Sequence, residues 1–258
     1  MDPSDLTFIK VLYPKAKDLH FKITAPMSSL VISPGIGNAW ATGKFHDPEE
    51  VIPLAVKQSG NVAEIIAVGA FAYKTPPQRL PQMTLSFGRL KPFSLFVTAG
   101  DLGDQLDFGG LPLSCLDIQY GLGPQIIDFS YPNPQPMKRM RVTADTGPIQ
   151  IENLANANAE EIRLAGDGTS YRVRFGCELK RSTSLYVGTA VSRTEIFIPP
   201  GTAVKIKSSS PPHSSHQDDF AYVDRAFSNG PARDHQEPLL SIHNAASGGS
   251  LHMGQSEG

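Results

Sequence analysis

The sequence has little of what several classes of protein need. It contains two cysteines and one tryptophan in 258 residues, which excludes a disulfide framework and a clustered zinc site. We interpret Cys115 and Cys177 as isolated thiols on or beside strands, with a single bridge between turns as the alternative. No stretch approaches the ~18 apolar residues of a membrane span. The start, Met1 to Asp5, is acidic where a signal peptide would be basic. We therefore expect a cytoplasmic chain that would reach the cell envelope only through a partner.

Charge, helical periodicity and catalytic motifs are scarce as well. The net charge of −2 gives no electrostatic reason to expect nucleic acid as a partner. Only residues 153–161, with three alanines, allow a helical turn, and a loop is the alternative. The chain has no Gly-x-Ser-x-Gly motif and no glycine-rich loop that precedes a helix. We therefore assign no catalytic, cofactor-binding or metal-ligating residue, and we expect no enzyme activity and no cofactor.

What the sequence does have is strict alternation of apolar and polar residues. Residues 93–207 contain five repeats of one unit, which consists of an alternating run, a turn with glycine, a second alternating run and a polar or proline-rich corner. Leu116 and Tyr120 share one side of their run, as the period of two in a strand requires. One such unit cannot bury its apolar side alone, whereas stacked neighbours can. Equivalent positions recur at about 22 residues, and they include Ile118, Val142, Leu164 and Val187.

This pattern predicts an all-β fold, a β-solenoid of about six or seven stacked coils of short strands with Gly-bearing turns. The chain divides into an N-terminal segment (1–18), degenerate first coils with an irregular insertion (19–92), the repeat core (93–207) and a tail (208–258). The tail is rich in Ser, Gly, His and Pro, and its apolar residues have no period. We predict that it is disordered, because it cannot bury enough surface to offset the entropy of ordering.

Acidic residues suggest two chemistries, each with a simpler alternative. Aspartates at turns would suit a calcium-binding β-roll, but the short nonapeptide period of that fold is missing, which favours turn capping. Four carboxylates on strands would suit a glycosidase pair, but an outward polar ladder predicts them equally well. The turn set is Asp101, Asp104, Asp107, Asp145 and Asp167, and the strand set is Asp117, Asp128, Glu152 and Glu195.

Basic residues near the corners predict a positive stripe if they stack on one edge. Such a stripe would suit an anionic partner, and a solvated face is the simpler interpretation. The residues are Lys138, Arg139 and Arg141, Lys180 and Arg181, and Arg172 and Arg174. Five of the seven histidines are scattered over the tail, an arrangement that favours at most adventitious metal binding; they are His213, His216, His235, His243 and His252.

The segment from Leu116 to Phe129, LDIQYGLGPQIIDF, resembles a known family. Its strand and Gly-x-Gly turn are similar to those of the toast-rack β-solenoid domain found in LiaF-type cell-envelope stress proteins and related to adhesin-like domains. The resemblance covers most of residues 19–207, but this chain lacks the membrane helices of LiaF proteins and has a longer tail. It implies a non-enzymatic binding scaffold, regulatory in envelope stress, that contacts a protein or a second copy through the faces or ends of its stack. A carbohydrate-active solenoid and a calcium-binding, adhesin-like solenoid are the alternatives.

Overall fold

Two large β-sheets make up the fold. The structure, a computed structural model, describes residues 6–50, 52–69, 80–100, 103–190, 192–208, 213–214, 220–234, 236–245 and 250–255. Within these ranges 23 strands form an eleven-stranded sheet, sheet A, and a twelve-stranded sheet, sheet B. Helix is limited there to a 3-10 turn at Leu154–Ala157 and to α1 (Gly230–Arg233). The predicted all-β class is confirmed. No helix in the described part is long and apolar enough to cross a bilayer.

The strands fall into three groups along the chain. The N-terminal group is β1 (Leu6–Leu12), β2 (Leu19–Ala25), β3 (Ser29–Pro34), β4 (Ala39–His46), β5 (Leu54–Ser59), β6 (Val62–Ala67) and β7 (Gln82–Phe87). The middle group is β8 (Phe93–Ala99), β9 (Gln105–Asp107), β10 (Leu113–Tyr120), β11 (Gln125–Asp128), β12 (Met137–Ala144), β13 (Thr146–Glu152), β14 (Ala159–Gly166), β15 (Gly168–Arg174), β16 (Thr183–Thr189) and β17 (Arg193–Ile198). The C-terminal group is β18 (Ala203–Ser208), β19 (His213–Ser214), β20 (Ala221–Val223), β21 (Ala226–Ser228), β22 (Leu239–Asn244) and β23 (Ser250–Gln255).

The middle group winds as five regular coils. Each coil places one strand in sheet B and the next in sheet A, and each strand pairs in parallel with its equivalent in the neighbouring coil. Ile118 is the register partner of Val142, Val142 of Leu164, and Leu164 of Val187. All four are at most 1% exposed. The predicted stacking is therefore confirmed, and the core is one continuous column between the sheets.

Asparagine side chains hold the corners of successive coils together. Asn133 is 2% exposed, and its Nδ2 donates to the carbonyls of Leu113 at 2.9 Å and Ala157 at 3.3 Å, which lie in the preceding and following coils. Nδ2 of Asn156 donates to the carbonyl of Phe129 at 2.9 Å. Corner backbone that leaves the sheet needs such partners, because a buried carbonyl without one is costly.

The prediction of a disordered tail over residues 208–258 is wrong for its described part. β22 lies in sheet B between β16 and β18 and pairs in parallel with both. β23 lies in sheet A between β17 and β19. Leu240 and Ile242 of β22 are fully buried, so pairing with distant strands orders a segment whose own composition does not. The coil of β22 and β23 is thus inserted between the fifth coil and the strands β18 and β19, which come earlier in the sequence.

The N-terminal end is interleaved in the same way. The coil of β2 and β3 lies between the coil of β8 and β9 and the later pair β6 and β7. Its early place in the sequence suggested that this coil is the outermost one, but it is not. β4 and β1 then extend sheet A with antiparallel pairing, and β5 does so in sheet B. The domain boundaries at 18 and 92 stay predictions.

Aromatic packing fixes this end to the column. The buried rings of Phe21 and Trp40 meet edge-on with centroids 5.1 Å apart, and Phe21 meets Phe87 edge-on at 4.9 Å. Phe93, at the start of the first regular coil, stacks on Phe87 at 5.6 Å. Such aromatic contacts add to the burial of the rings, so the irregular strands and the repeats share one core.

Candidate functional site

The outer side of sheet B carries a concentration of basic residues over five neighbouring strands, β12, β14, β16, β22 and β18. We call it the basic face. Parallel pairing aligns its side chains in two rows that run across the strands. The first row is Arg141, Arg163, Tyr186, His243 and Lys207, and the second is Arg139, Glu161, Ser184, Ser241 and Lys205. The two rows hold five cations and one acid.

Three side chains in the first row contact each other directly. The guanidinium carbon of Arg163 lies 5.2 Å from the ring centroid of Tyr186. On the next strand the ring of His243 is stacked on Tyr186, with centroids 4.6 Å apart and an interplanar angle of 13°. The Tyr186 ring therefore stands on edge between Arg163 and His243, and the row presents the polar edges of its side chains. Arginine, tyrosine, histidine and lysine are all hydrogen-bond donors.

Most cations of the basic face lack an internal counter-ion. Arg163 forms an ion pair with Glu161 at 2.7 Å. Within the described part of the chain, Arg139, Arg141, Lys205 and Lys207 form no ion pair. Nε of Arg141 donates to the Thr143 hydroxyl at 3.3 Å. Asp117 on β10 is the register partner of Arg141, but the two form no ion pair. The positive charge of the face is therefore available to an external anion.

His243 is the titratable group at the centre of this row. Burial, and then the nearby ammonium of Lys207, lower the pKa of His243 below its ordinary value. The imidazole is therefore mainly neutral at pH 7. An anion bound on the row would favour the imidazolium form, so its binding would be coupled to the uptake of a proton.

The outer side of sheet A is different, because its charges neutralise each other. Arg174 pairs with Glu152 at 2.5 Å, and Glu195 forms ion pairs with Arg193 at 2.7 Å and with Arg172 at 3.7 Å. The guanidinium carbons of Arg172 and Arg174 also lie 5.3 and 5.4 Å from the ring centroid of Phe197. A shallow groove crosses this face between Ile126 and the Arg193 side chain. It contains no cation without a counter-ion among these arginines.

The predicted positive stripe is only partly right. Arg139 and Arg141 lie on β12 in sheet B, but Arg172 and Arg174 lie on β15 in sheet A, on the opposite outer side. Arg181 lies at a corner, where it donates to Glu160 and to Asn158 at 2.9 and 2.8 Å. The sequence grouped these residues by proximity along the chain, whereas sheet membership separates them.

The predicted set of strand carboxylates is divided between the two sheets. Asp117 is on β10 in sheet B, whereas Asp128, Glu152 and Glu195 are on strands of sheet A. Asp128 and Glu152 are register partners on adjacent strands, but Asp128 accepts from the Asn153 side-chain amide at 2.8 Å and Glu152 pairs with Arg174. Glu195 pairs with Arg193.

The turn aspartates have different surroundings. Asp107 accepts from Gly109 and Ser130, and buried Asp104 accepts from the Leu30 amide at 2.7 Å. Asp145 and Asp167 are exposed, and Asp101 lies outside the described residues. No group of three or more possible metal ligands occurs in the described ranges.

The two thiols are not bridged. Cys115 is half-buried on β10, and exposed Cys177 places its sulfur 3.3 Å from Oδ1 of Asn156. Partial burial raises the pKa of the Cys177 thiol, which lowers its thiolate fraction and its reactivity.

Of the ten residues in the two rows, the sequence predicted only Arg139 and Arg141 as part of a basic stripe. Lys205 and Lys207 alternate with buried Val204 and Ile206, so they could have been placed on an outer side from the pattern alone. Tyr186 is uncharged, so a search for basic residues does not find it. His243 was assigned to the tail, and its contact with Tyr186 exists only because β22 inserts beside β16.

Comparisons with known proteins give weak similarities only. No family model and no curated protein match the sequence. Among solved structures, a "putative cell adhesion protein" from Clostridium sporogenes has 14% identity over 97% of this chain and 99% of that chain, with a TM-score of 0.45. A "putative adhesin" from Bacteroides fragilis has 12% identity over 96% of each chain and a TM-score of 0.47. The names agree with the adhesin-like part of the predicted resemblance, and no comparison confirms its LiaF-type part.

Proposed function

We propose that this protein is a non-catalytic binding scaffold that holds an acidic polysaccharide on its basic face. The observation that carries the proposal is the row of donors from Arg141 to Lys207, whose end cations have no counter-ion in the described residues. Narrower roles, in the envelope stress response or in the cytoplasm, stay predictions from the sequence.

The geometry of the row favours a linear polymer over a small anion. Neighbouring strands are about 4.8 Å apart, so five strands place donors along roughly 19 Å. At the end of the second row, Lys205 lines a pocket together with Asp224 and Glu237, and these acids disfavour a small anion there. A chain with sulfate or carboxylate groups can instead make several charge-assisted hydrogen bonds in succession, each stronger than a bond between neutral groups.

The stacking of the rings favours a polysaccharide over single-stranded nucleic acid. Proteins that bind single strands without sequence preference stack the bases on open aromatic faces. The ring of Tyr186 is flanked by Arg163 and stacked against His243, so no face is open for a base. Recognition here therefore depends on charge and hydrogen bonds at the ring edges.

The test compares dextran sulfate with uncharged dextran, which share one backbone. We expect the protein to bind only the sulfated polymer, and the affinity to fall as salt rises. The double variant Arg141→Glu/Lys207→Glu removes two charged contacts of about 1.5 kcal/mol each, which corresponds to a loss of affinity of roughly 100-fold. The control, Lys15→Glu/Lys17→Glu, makes the same change of net charge at exposed residues away from the sheets and should retain most of the binding.

Three results would overturn the proposal: equal binding of both polymers, an equal loss in the two double variants, or binding to phosphatidylserine vesicles with none to the polymer. A pH series adds an independent check. Because anion binding favours protonated His243, the affinity should rise as the pH falls from about 8 to about 6, and His243→Gln should flatten this dependence.

A further inference from the structure

The two ends of the stack differ in the strand edges that they expose. Within the described residues, the outermost strands are β1 and β5 at the N-terminal end and β19 and β20 at the C-terminal end. β19 and β20 have two and three residues, and such short edges hinder pairing with another chain. β1 has seven residues and β5 has six. Among the described strands, the longer free edges therefore lie at the N-terminal end.

β1 protrudes beyond the other strands at this end. Outward from the coil of β8 and β9, sheet B continues through β2, β6 and β5, whereas sheet A continues through β3, β7, β4 and β1. Sheet A is thus one strand longer. Gln58 on β5 donates to the Leu12 carbonyl of β1 at 2.8 Å and bridges the two sheets here.

The side chains of β1 divide between the core and the surface. Ile9 and Val11 are 3% and 2% exposed, whereas Phe8 is 73% exposed and Leu12 58%. Lys10 is also exposed. Lys44, the register partner of Phe8 on β4, places its ammonium 5.8 Å from the Phe8 ring centroid. The phenyl ring therefore has a cation on its β4 side and is open on the side of the sheet edge.

We propose that two copies of this chain form a dimer by antiparallel pairing of their β1 strands about Ile9. This register places Phe8 opposite the partner's Lys10, and Lys10 opposite the partner's Phe8. Both residues lie on the outward side of the strand, so each ring gains a second cation in the manner of Lys44. The strand is self-complementary in this register, which is the condition for a two-fold interface.

The pairing closes at two subunits. A two-fold contact uses the same edge in both copies, and each copy then presents its C-terminal end outward. The short β19 and β20 do not support a second contact of the same kind. Sheet A would run continuously through both subunits, and the product is a dimer rather than a fibre.

Sedimentation equilibrium of the wild type and three variants tests the register. The wild type should dimerise reversibly. Phe8→Lys places like charges opposite each other twice and removes two ring contacts, which should weaken the dimer roughly 30- to 100-fold. Adding Lys10→Glu to Phe8→Lys creates two opposite-charge pairs and should restore most of the affinity. Leu90→Lys, at a residue that is 62% exposed in the loop after β7, should have no effect.

Phe8 is exposed, so Phe8→Lys costs the folded monomer only its contact with Lys44 and places two like charges opposite each other. The melting temperature at a concentration where the chain is monomeric should therefore fall only slightly, which separates loss of pairing from loss of fold. A wild type that stays monomeric at every concentration would overturn the proposal. So would a dimer that tolerates Phe8→Lys, because it would have to form through another surface. Failure of Lys10→Glu to rescue Phe8→Lys would show that the register is wrong.

Discussion

Replacing Asn133 by alanine tests how the corners hold the coils together. The side chain is almost fully buried and bridges three coils, because its Nδ2 donates to Leu113 and Ala157 while Oδ1 accepts from the Gln135 amide at 3.2 Å. Alanine leaves two buried carbonyls and one amide without these partners. At about 1–3 kcal/mol for a buried group that loses its bond, with partial relaxation, we expect the free energy of unfolding to fall by about 2–4 kcal/mol.

Urea unfolding monitored by circular dichroism measures this loss, and thermal unfolding should show a drop of roughly 5–15 °C for a chain of this size. Asn61→Ala is the matched control, because its Nδ2 makes one exposed bond, to the Asp18 carbonyl at 2.9 Å. We expect that change to cost less than about 1 kcal/mol. Equal losses in the two variants, or a change below about 0.5 kcal/mol for Asn133→Ala, would refute the role of the corner.

Asn133→Asp makes the same test sharper. A carboxylate keeps the acceptor for Gln135 but turns a negative charge toward the carbonyls of Leu113 and Ala157. Burial and these carbonyls would raise the pKa of the new carboxyl in the folded state. The protonated form therefore contributes to the free energy of unfolding only at low pH, and this contribution is lost as the pH rises through the raised pKa. We expect Asn133→Asp to be less stable than Asn133→Ala at pH 7 and to regain stability below about pH 4.

Two further changes test the interleaved coil and one close approach. Deleting residues 209–258 removes β22 and β23 and exposes the edges of β16 and β17. The melting temperature should therefore fall strongly, and light scattering should increase because exposed edges pair with other chains. An unchanged melting temperature would show that the coil of β22 and β23 adds no stability. In Gly100→Ala the added carbon would lie 1.7 Å from the Pro26 carbonyl oxygen, whereas Gly188→Ala meets nothing within 4 Å. We expect denaturant unfolding to show a loss of about 1–3 kcal/mol for the first and less than about 0.5 kcal/mol for the second, and similar losses would mean that the contact at Gly100 relaxes.

The regular coils could be predicted because their signals are local. Alternation sets which side chains face the core, and glycine and proline mark the bends. Once the period is known, parallel stacking puts equivalent residues opposite each other, as Ile118, Val142 and Leu164 are. The strands and their register follow from these few rules.

The ends of the stack could not be predicted in this way. The run from Leu239 to Ile242 is short, and its partners β16 and β18 lie far from it in sequence. Composition indicated disorder there, and pairing on both sides overrode it. The basic face shares this origin, because Tyr186 meets His243 only through the same insertion, and no local pattern encodes that contact.

Interleaving also constrains the order of assembly. A simple solenoid can grow coil by coil from the ribosome, each new turn landing on the last one. Here β18 emerges before β22, although β22 is the strand that joins it to the fifth coil. Until β22 is synthesised, the position between β16 and β18 must stay empty, or β18 must pair temporarily with β16 and separate from it later. We therefore expect the stack to reach its final arrangement only after β22 and β23 have been synthesised, well after the central column has formed.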